Sequence, residues 1–214
     1  MTKGLFITLE GGEGAGKTTQ ARKLLEYLEA KGFEVVLTRE PGGTPEAEKI
    51  RDLLVQRDGG NWTPMAEVAL FFAARQMHIE NLIKPSLHHG KIVVCDRFTD
   101  STRAYQGYGH GFDLETIESL DDLIVNKFEP DVTFIFDLPV KDGLARSMSQ
   151  KEKASGAEST EDKFEKLDFS FHERMRQGFL KIAEANPKRC HVIDAAQSAD
   201  DIFAKIKEVI DNAV

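Results

Sequence analysis

The residues with the clearest chemical pattern lie in the stretch GGEGAGKTTQ at positions 11–20. Residues 11–18 satisfy the whole G-x-x-x-x-G-K-[ST] pattern of a phosphate-binding loop. Glycines let the backbone curl so that successive N–H groups point at one anion. Lys17 can then bridge the β- and γ-phosphates of a nucleoside triphosphate, and the Thr18 hydroxyl can ligate Mg²⁺. The predicted nucleotide-binding residues are Gly11, Gly12, Glu13, Gly14, Ala15, Gly16, Lys17, Thr18 and Thr19.

Glu13 is an unusual residue for this loop, because a carboxylate repels the anion that the loop is built to hold. Its side chain could face water, or it could face a hydroxyl group or magnesium on the acceptor side. The sequence leaves both alternatives open.

A second charged pair follows the apolar run KIVVCD. Asp96 ends that run, at the place of a carboxylate that helps to hold Mg²⁺ beside a phosphate loop. Arg97 comes next, and its planar guanidinium can bind a phosphate through two hydrogen bonds. The alternative for Arg97 is a structural ion pair with a nearby acid.

The elements that must position these residues alternate between strands and helices. Strands are predicted at 5–9, 34–38, 91–96, 131–137 and 189–194, where β-branched and apolar residues cluster. The alternation predicts an α/β fold with a mostly parallel sheet covered on both faces. Ligands of such sheets bind at the carboxyl ends of the strands. The polar residues at those ends are Glu10, Arg39, Asp96, Asp137 and Asp194.

Helical spacing of apolar residues predicts the helices. They are expected at 17–31, 64–87, 113–126, 139–150, 162–185 and 198–212. The segment 149–163 has many charges and almost no large apolar residue, which favours a mobile loop or lid between two helices. A surface insertion without a role is the alternative. We therefore expect one domain over 1–214, with a lid at about 147–163.

Composition limits the class of protein. A chain of 214 residues can bury one proper core, and no apolar run approaches the ~20 residues of a membrane span. The formal net charge of −8 argues against non-specific binding to nucleic acid or to an anionic membrane. Two cysteines do not make a disulfide framework, and the N-terminal run lacks the pattern of a signal peptide. These features favour the cytoplasm.

Three further stretches accompany the phosphate loop: TREPGGT at 38–44, FFAARQ at 71–76 and DRFTDSTRAYQG at 96–107. Together with GGEGAGKTT they resemble bacterial thymidylate kinase, from LFITLEG to the terminal helix. The resemblance implies the P-loop nucleoside monophosphate kinase fold, a three-layer fold with a five-stranded parallel sheet. It also implies transfer of the γ-phosphate of ATP to dTMP, giving dTDP and ADP, with Mg²⁺ as cofactor and a homodimer as assembly.

The resemblance also implies the roles of individual residues around dTMP. Arg97 would grip the dTMP phosphate, and Arg39 and Glu40 would border the acceptor site. Phe72 would stack on thymine, and Arg75 would reach its O4 edge. The remaining dTMP contacts would come from Ser101, Thr102 and Gln106 on thymine N3 and the sugar side, from Tyr105 against the deoxyribose, and from Glu13 on the 3′-hydroxyl or a magnesium water.

The ATP side is matched less fully. Gly143-Leu144-Ala145-Arg146 fits the start of the family's lid, and Gln197 lies in a stretch expected near adenine. Arg146 could stack on adenine or reach the phosphates. The other candidate lid cations are Lys151, Lys153 and Lys163. The catalytic residues would be Lys17, Arg97 and Arg146, with Thr18 and Asp96 at the metal.

Two competing functions remain at this point. One is a P-loop kinase for another small deoxynucleotide, and the other is an ATP-binding module without transfer activity. A switch GTPase is disfavoured, because the sequence has no N-K-x-D-type base-reading motif.

Overall fold

Five parallel strands form the centre of the molecule, in the order β2-β3-β1-β4-β5. They are β1 (Phe6–Gly11), β2 (Val35–Arg39), β3 (Ile92–Asp96), β4 (Val132–Asp137) and β5 (Cys190–Asp194). This computed structural model describes residues 4–56, 59–153 and 167–214, without the side chains of 150–153. The predicted α/β class and all five strands are confirmed.

The central strand β1 is buried along its whole length, which explains its run of apolar residues. Its one threonine, Thr8, lies in register with Thr133 of β4. The two buried hydroxyls are 2.8 Å apart and satisfy each other. On the other side of β1, Leu9 is in register with Asp96 of β3. The register therefore brings the end of β3 beside the start of the phosphate loop.

Helices cover both faces of the sheet. They are α1 (Lys17–Ala30), α2 (Pro45–Val55), α3 (Pro64–His78), α4 (Lys84–His88), α5 (Thr99–Thr102), α6 (Leu114–Leu120), α7 (Val140–Lys153), α8 (Phe169–Ala185) and α9 (Ala199–Asp211). Three π-helical segments, Ile79–Ile83, Arg103–Gly109 and Asp121–Val125, continue α3, α5 and α6. No helix in the described part of the chain is long and apolar enough to cross a membrane.

Two helical elements were not predicted. The first is α2, which Thr44 caps by accepting the Ala47 N–H at 3.3 Å, with Pro45 in the first turn. The second is α5 and its π-helical continuation over 99–109. The helix predicted over 139–150 continues to 153, so the first part of the expected loop is helical. The rest of that loop, 154–163, lies outside the described residues.

Both cysteines are buried free thiols. Cys95 lies in β3, and its thiol donates to the carbonyl of Arg97 at 3.0 Å. Burial raises the pKa of Cys95 well above its ordinary value. Burial also raises the pKa of Cys190 to about 12, although the charge of Arg189 opposes the shift.

Candidate active site

The phosphate loop connects β1 to α1 at the carboxyl edge of the sheet. Gly14 and Gly16 take positive φ values of 66° and 88°, a conformation that favours glycine. The Lys17 ammonium donates to the carbonyls of Gly11 at 3.1 Å and Gly12 at 2.8 Å, so it lies inside the curl of the loop. Burial, and then the charge of Arg97, lowers the pKa of Lys17. The loop therefore curls around the Lys17 ammonium.

A hydroxyl and a carboxylate stand together beside this loop. The Thr18 Oγ1 donates to Asp96 Oδ2 at 3.2 Å. Oxygen donors of these two kinds suit Mg²⁺, which keeps several waters and takes the rest of its shell from phosphates. The described residues include no group of three or more metal-binding side chains. The pair fits a magnesium ion that arrives with a nucleotide.

An open groove of about 450 Å³ runs past the loop. It is lined by Glu13, Gly14, Ala15, Gly16, Lys17, Thr18, Thr19, Arg39, Glu40, Arg51, Asp96, Arg97 and Ser147. Arg39, Arg51 and Arg97 share this groove, which makes it a site for an anion within an acidic protein. Sequence reasoning missed Arg51, because it is carried by the unpredicted helix α2. Its guanidinium donates to the carbonyl of Pro41 at 2.8 Å.

Arg97 connects the loop to the segment after β3. Its φ of 72° lies in the left-handed region, which is uncommon for a non-glycine residue. The guanidinium donates to the Gly11 carbonyl at 2.9 Å, to Ser101 Oγ at 3.3 Å and to Glu13 Oε1 at 3.0 Å. It also lies 4.9 Å from the centre of the Tyr105 ring. The strained backbone is therefore held by contacts to two segments, the phosphate loop and the helical segment 99–109.

Glu13 is the ionic partner of this arginine. Its Oε1 accepts from Arg97 and also from the Tyr105 hydroxyl at 2.5 Å. Burial would raise the pKa of Glu13, but the charges of Arg97 and Lys17 outweigh it and lower the pKa to about 2. The carboxylate in the anion-binding loop is thus compensated by the arginine expected to grip the acceptor phosphate. The hydroxyl of Tyr105 lies at the same carboxylate.

Glu10, the last but one residue of β1, fixes the turn that carries Arg97. Its Oε1 accepts the Phe98 N–H at 2.7 Å, and its Oε2 accepts the Ser101 hydroxyl at 2.5 Å. Burial and the neighbouring Asp100 raise the pKa of Glu10. The sequence placed Glu10 at a strand end but gave it no role. A buried acid directly before a phosphate loop was the available signal.

Two of the residues expected at the thymine, Phe72 and Thr102, contact Arg75, which is 2% exposed. Ser101 instead contacts Glu10 and Arg97. The Arg75 Nε donates to Glu40 Oε2 at 2.7 Å. One terminal nitrogen donates to Thr102 Oγ1 at 3.0 Å and to the Phe98 carbonyl at 3.2 Å. The other terminal nitrogen is buried and has no hydrogen-bond partner among the described residues. A buried guanidinium nitrogen without a partner is suited to an acceptor atom of a ligand.

The expected stacking role of Phe72 does not agree with its position. Its side chain is 0% exposed and belongs to the core cluster that includes Val68 and Ile79. The Arg75 guanidinium lies 5.1 Å from the centre of the Phe72 ring. A base cannot stack on a ring enclosed in this way. The neighbouring Phe71 on the same helix is only partly buried.

Gln106, also expected at the thymine, is buried and makes its side-chain hydrogen bond to α3 rather than to Arg75. Its side-chain amide donates to Glu67 Oε1 at 3.1 Å. Both residues line a second concavity of about 290 Å³, together with Trp62, His110 and Phe112. Gln106 is thus held by Glu67, a residue that sequence reasoning missed.

The start of α7 packs directly on the phosphate loop. A Cβ built on Gly14 would lie 2.1 Å from the carbonyl of Gly143, and one on Gly143 would lie 2.6 Å from the carbonyl of Glu13. One turn later, Arg146 donates to the carbonyl of Ala195 at 2.9 Å. Arg146 therefore points to the loop after β5. Of the other candidate cations, Lys163 and the side chains of Lys151 and Lys153 lie outside the described residues.

The same loop after β5 contains Gln197. Its side-chain amide donates to Asp194 Oδ2 at 3.0 Å. Arg146 and Gln197 are therefore brought to one wall, on the opposite side of the loop from Arg75.

Comparison with known proteins adds independent evidence. A family model described as thymidylate kinase matches residues 9–206. Thymidylate kinase of Caulobacter vibrioides is 47% identical over 98% of this chain and 97% of its own length. That of Syntrophotalea carbinolica is 43% identical over 98% and 96%. A crystal structure of thymidylate kinase from Ehrlichia chaffeensis is 40% identical, with a TM-score of 0.76 over 97% of this chain and 98% of that one.

Proposed function

Because the chain belongs to the thymidylate kinase family and phosphorylates dTMP to dTDP with ATP, we propose that its two substrates meet between Lys17 and Arg97. The observation that carries this proposal is the Glu13–Arg97 ion pair of 3.0 Å. It joins the phosphate loop to the segment expected to hold the acceptor. The transferred phosphoryl group would lie between these cations.

On the ATP side, the residues of the loop from Gly11 to Thr19 would hold the phosphates. Their N–H groups and the amino end of α1 favour negative charge. Lys17 would exchange the carbonyls of Gly11 and Gly12 for phosphate oxygens. Arg146 and Gln197 would contact the adenine, since both lie at the loop after β5.

Thr18 and Asp96 would hold the magnesium ion that accompanies ATP. When bound, Mg²⁺ neutralises charge on the phosphates and fixes their geometry. The Thr18–Asp96 hydrogen bond places both oxygen donors at one point, which supports this assignment.

On the dTMP side, Arg97 would bind the acceptor phosphate, with Arg39 and Arg51 on the same groove. Glu13 and Tyr105 would lie at the sugar. Glu40 would act by holding Arg75 rather than by touching dTMP. The order of groups along the groove would place the dTMP phosphate nearest to ATP.

The thymine would lie against Arg75, Thr102 and Gln106. We assign the stacking position to Phe71 in place of Phe72. Phe71 is four residues before Arg75, so both lie on one face of α3, and its side chain retains exposed surface. The partnerless terminal nitrogen of Arg75 would donate to thymine O4.

The chemistry asked of these residues is positioning and neutralisation of charge. A nucleotide phosphate is already an anion, so no strong base is needed to activate it. Lys17 and Arg97 would hold the donor and acceptor phosphates in line, and exclusion of water would suppress hydrolysis of ATP.

We also propose a homodimer that uses one face of α3 and the segment after α6. Met65 is 49% exposed, Leu123 is 80% exposed, and the exposed Ala69 and Ala73 lie on α3. A large exposed leucine beside a helix face of small apolar residues suits a self-complementary interface.

The direct test measures ADP formation from Mg-ATP with dTMP, dUMP, dCMP, dGMP and AMP offered separately. We expect turnover with dTMP well above that with the others, and loss of turnover in Lys17→Ala, which controls for a contaminating kinase. A preference for another acceptor would contradict the assigned base-reading residues. Unchanged turnover in Lys17→Ala would contradict the assigned loop.

A further inference from the structure

His78, the last residue of α3, is fully buried and makes two side-chain hydrogen bonds. Its Nε2 lies 2.8 Å from Thr38 Oγ1, and its Nδ1 lies 2.9 Å from Glu40 Oε1. A buried histidine is commonly satisfied by backbone groups or by a single partner. Here both ring nitrogens contact side chains of the segment that borders the acceptor groove.

The direction of these hydrogen bonds follows from the chemistry of Glu40. One carboxylate oxygen accepts from Arg75 Nε, and the other faces the His78 ring. Because an ionised carboxylate only accepts, Nδ1 must be the donor. In the neutral ring, Nε2 then accepts the Thr38 hydroxyl proton. The chain of contacts runs from Thr38 through His78 and Glu40 to Arg75.

The backbone of the loop after β2 lies close to the His78 ring. A Cβ built on Gly43 would lie 2.5 Å from His78 Nε2 and 2.6 Å from Thr38 Oγ1. Gly43 also has a φ of 87°, and its N–H donates to Glu48 at 2.9 Å. The backbone of this loop therefore packs over the histidine and holds it at Glu40.

The consequence concerns the guanidinium of Arg75. Glu40 fixes Nε, and Thr102 with the Phe98 carbonyl fixes one terminal nitrogen. Three of its contacts thus determine the direction of the remaining nitrogen. A carboxylate held on one side only could rotate and carry Nε with it.

We propose that His78 is a positioning residue for base recognition, which acts by fixing Glu40 and through it the direction of Arg75. This inference rests on the proposed function, in which Arg75 reads thymine O4. His78 itself touches no substrate. It determines how sharply the enzyme separates a base with a carbonyl at this edge from one with an amino group.

Two variants with matched side chains test the proposal. His78→Asn keeps an amide donor near the position of Nδ1, and His78→Gln keeps a polar group near the position of Nε2. We expect His78→Gln to raise KM for dTMP about tenfold, the effect of leaving a buried partner unsatisfied. It should also lower the ratio of kcat/KM for dTMP over dCMP and leave KM for ATP unchanged. In His78→Asn we expect KM for dTMP and the dTMP/dCMP ratio of kcat/KM to stay closer to the wild-type values than in His78→Gln.

Arg75→Lys separates failure of the proposal from failure of the site. If Arg75→Lys raises KM for dTMP but His78→Gln and His78→Asn behave alike, His78 only fills space and the inference is wrong. If Arg75→Lys leaves KM for dTMP and the dTMP/dCMP ratio unchanged, the assigned base site is wrong. Thr38→Val provides a second probe that leaves the ring in place. It should shift the same ratio in the same direction by a smaller factor, and an unchanged ratio in both Thr38→Val and His78→Gln would overturn the proposal.

Discussion

At the scale of single residues, an ion pair with Arg97 explains how the carboxylate of Glu13 is tolerated in a loop that binds anions. Glu13 is paired with Arg97, which approaches from the segment after β3 and is held by the Gly11 carbonyl as well. The pair keeps the pKa of Glu13 at about 2, so the loop carries this negative charge at any physiological pH. In the proposed complex with dTMP, a phosphate on Arg97 would leave Glu13 available to a hydroxyl group of the acceptor.

Replacement of Arg97 by alanine should separate the two substrate sites. We expect dTMP-dependent turnover to fall by about 10²–10³-fold, because a cation directed at transferring phosphate is lost. Binding of ATP, measured by calorimetry without dTMP, should stay within a few fold. Equal losses of ATP binding and turnover would mean that Arg97 belongs to the donor site.

The neighbouring phenylalanines of α3 should respond differently to truncation. Phe71→Ala should weaken dTMP binding by ~1–3 kcal/mol with a near-normal melting temperature, since a stacking face is lost. Phe72→Ala should lower the free energy of unfolding by ~3–5 kcal/mol, because it opens a cavity in the core. Calorimetric titration with dTMP and thermal unfolding of both variants provide the comparison. A stable Phe72→Ala with weakened dTMP binding would return the stacking role to Phe72.

Phe71 and Phe72 also show one limit of what the sequence can predict about the site. Positions 71 and 72 both fall within one helical turn of Arg75, so spacing alone does not decide which ring faces the groove. The decision is made by packing, since Phe72 points into the cluster beneath the sheet. The loop glycines, Lys17, Thr18 and Asp96 could be predicted because their chemistry requires a fixed pattern. Arg51 and Glu67 could not, because tertiary contacts alone connect them to that pattern. Glu10 adjoins the loop in the sequence, but its role in holding the turn after β3 follows only from its contacts to Phe98 and Ser101.

At the scale of elements, the contact between the phosphate loop and α7 determines the shape of the donor site. Gly14 and Gly143 approach so closely that neither position has room for a side chain. This approach also carries Arg146 to the loop after β5. The first turns of α7 would thus form a wall of the proposed ATP site.

Gly143→Ala should therefore impair ATP binding. The added methyl group would meet the backbone of Glu13, and relief of this overlap would move α7 or the loop at a cost of ~1–3 kcal/mol. We expect a raised KM for ATP together with a lower melting temperature. Gly178→Ala is the matched control, because its added Cβ would meet the Tyr108 ring away from the loop. Equal KM values for ATP in both variants would show that the α7 contact serves stability alone.

The elements themselves could be predicted to different degrees. The three inner strands β1, β3 and β4 are almost wholly buried, so their apolar runs make a strong pattern, and the edge strands β2 and β5 keep β-branched runs although they are partly exposed. The short helix α2 carried a Thr-Pro start and acidic residues in its first turn, but only Ala47, Leu54 and Val55 are buried. Its stability comes from packing on α3, which a local pattern does not reveal. The helical segment over 99–109 follows the strained turn at Arg97, and its sequence has no periodic apolar stripe from which a helix could be predicted.

At the scale of the whole molecule, the parallel sheet gathers the candidate site at one edge and leaves other surfaces free for assembly. The apolar surface that we assign to a partner copy consists of the α3 face with Met65 and the adjoining Leu123. The α3 part of this surface lies on the helix that also carries Phe71 and Arg75. Assembly there would pack a second copy against the solvent-exposed face of α3.

Leu123→Glu should convert the proposed dimer to a monomer, because a charge would be buried in an apolar interface. Light scattering with size-exclusion chromatography at micromolar concentration measures the mass. Val192→Glu is the control, since Val192 is 49% exposed on the edge strand β5. A monomeric wild type, or a dimer that survives Leu123→Glu, would contradict the assigned face.

The burial of both cysteines has a practical consequence for observing this enzyme at work. Thiol-reactive dyes need an accessible thiolate, and Cys95 and Cys190 offer neither access nor a low pKa. The two native cysteines should therefore stay unlabelled when thiol-reactive fluorophores are attached to introduced cysteines. Cysteines introduced at the exposed Leu53 of α2 and Met148 of α7 would place a dye on each side of the groove that runs past the phosphate loop. Energy transfer between them would then follow the width of the groove in single molecules as each nucleotide arrives and leaves.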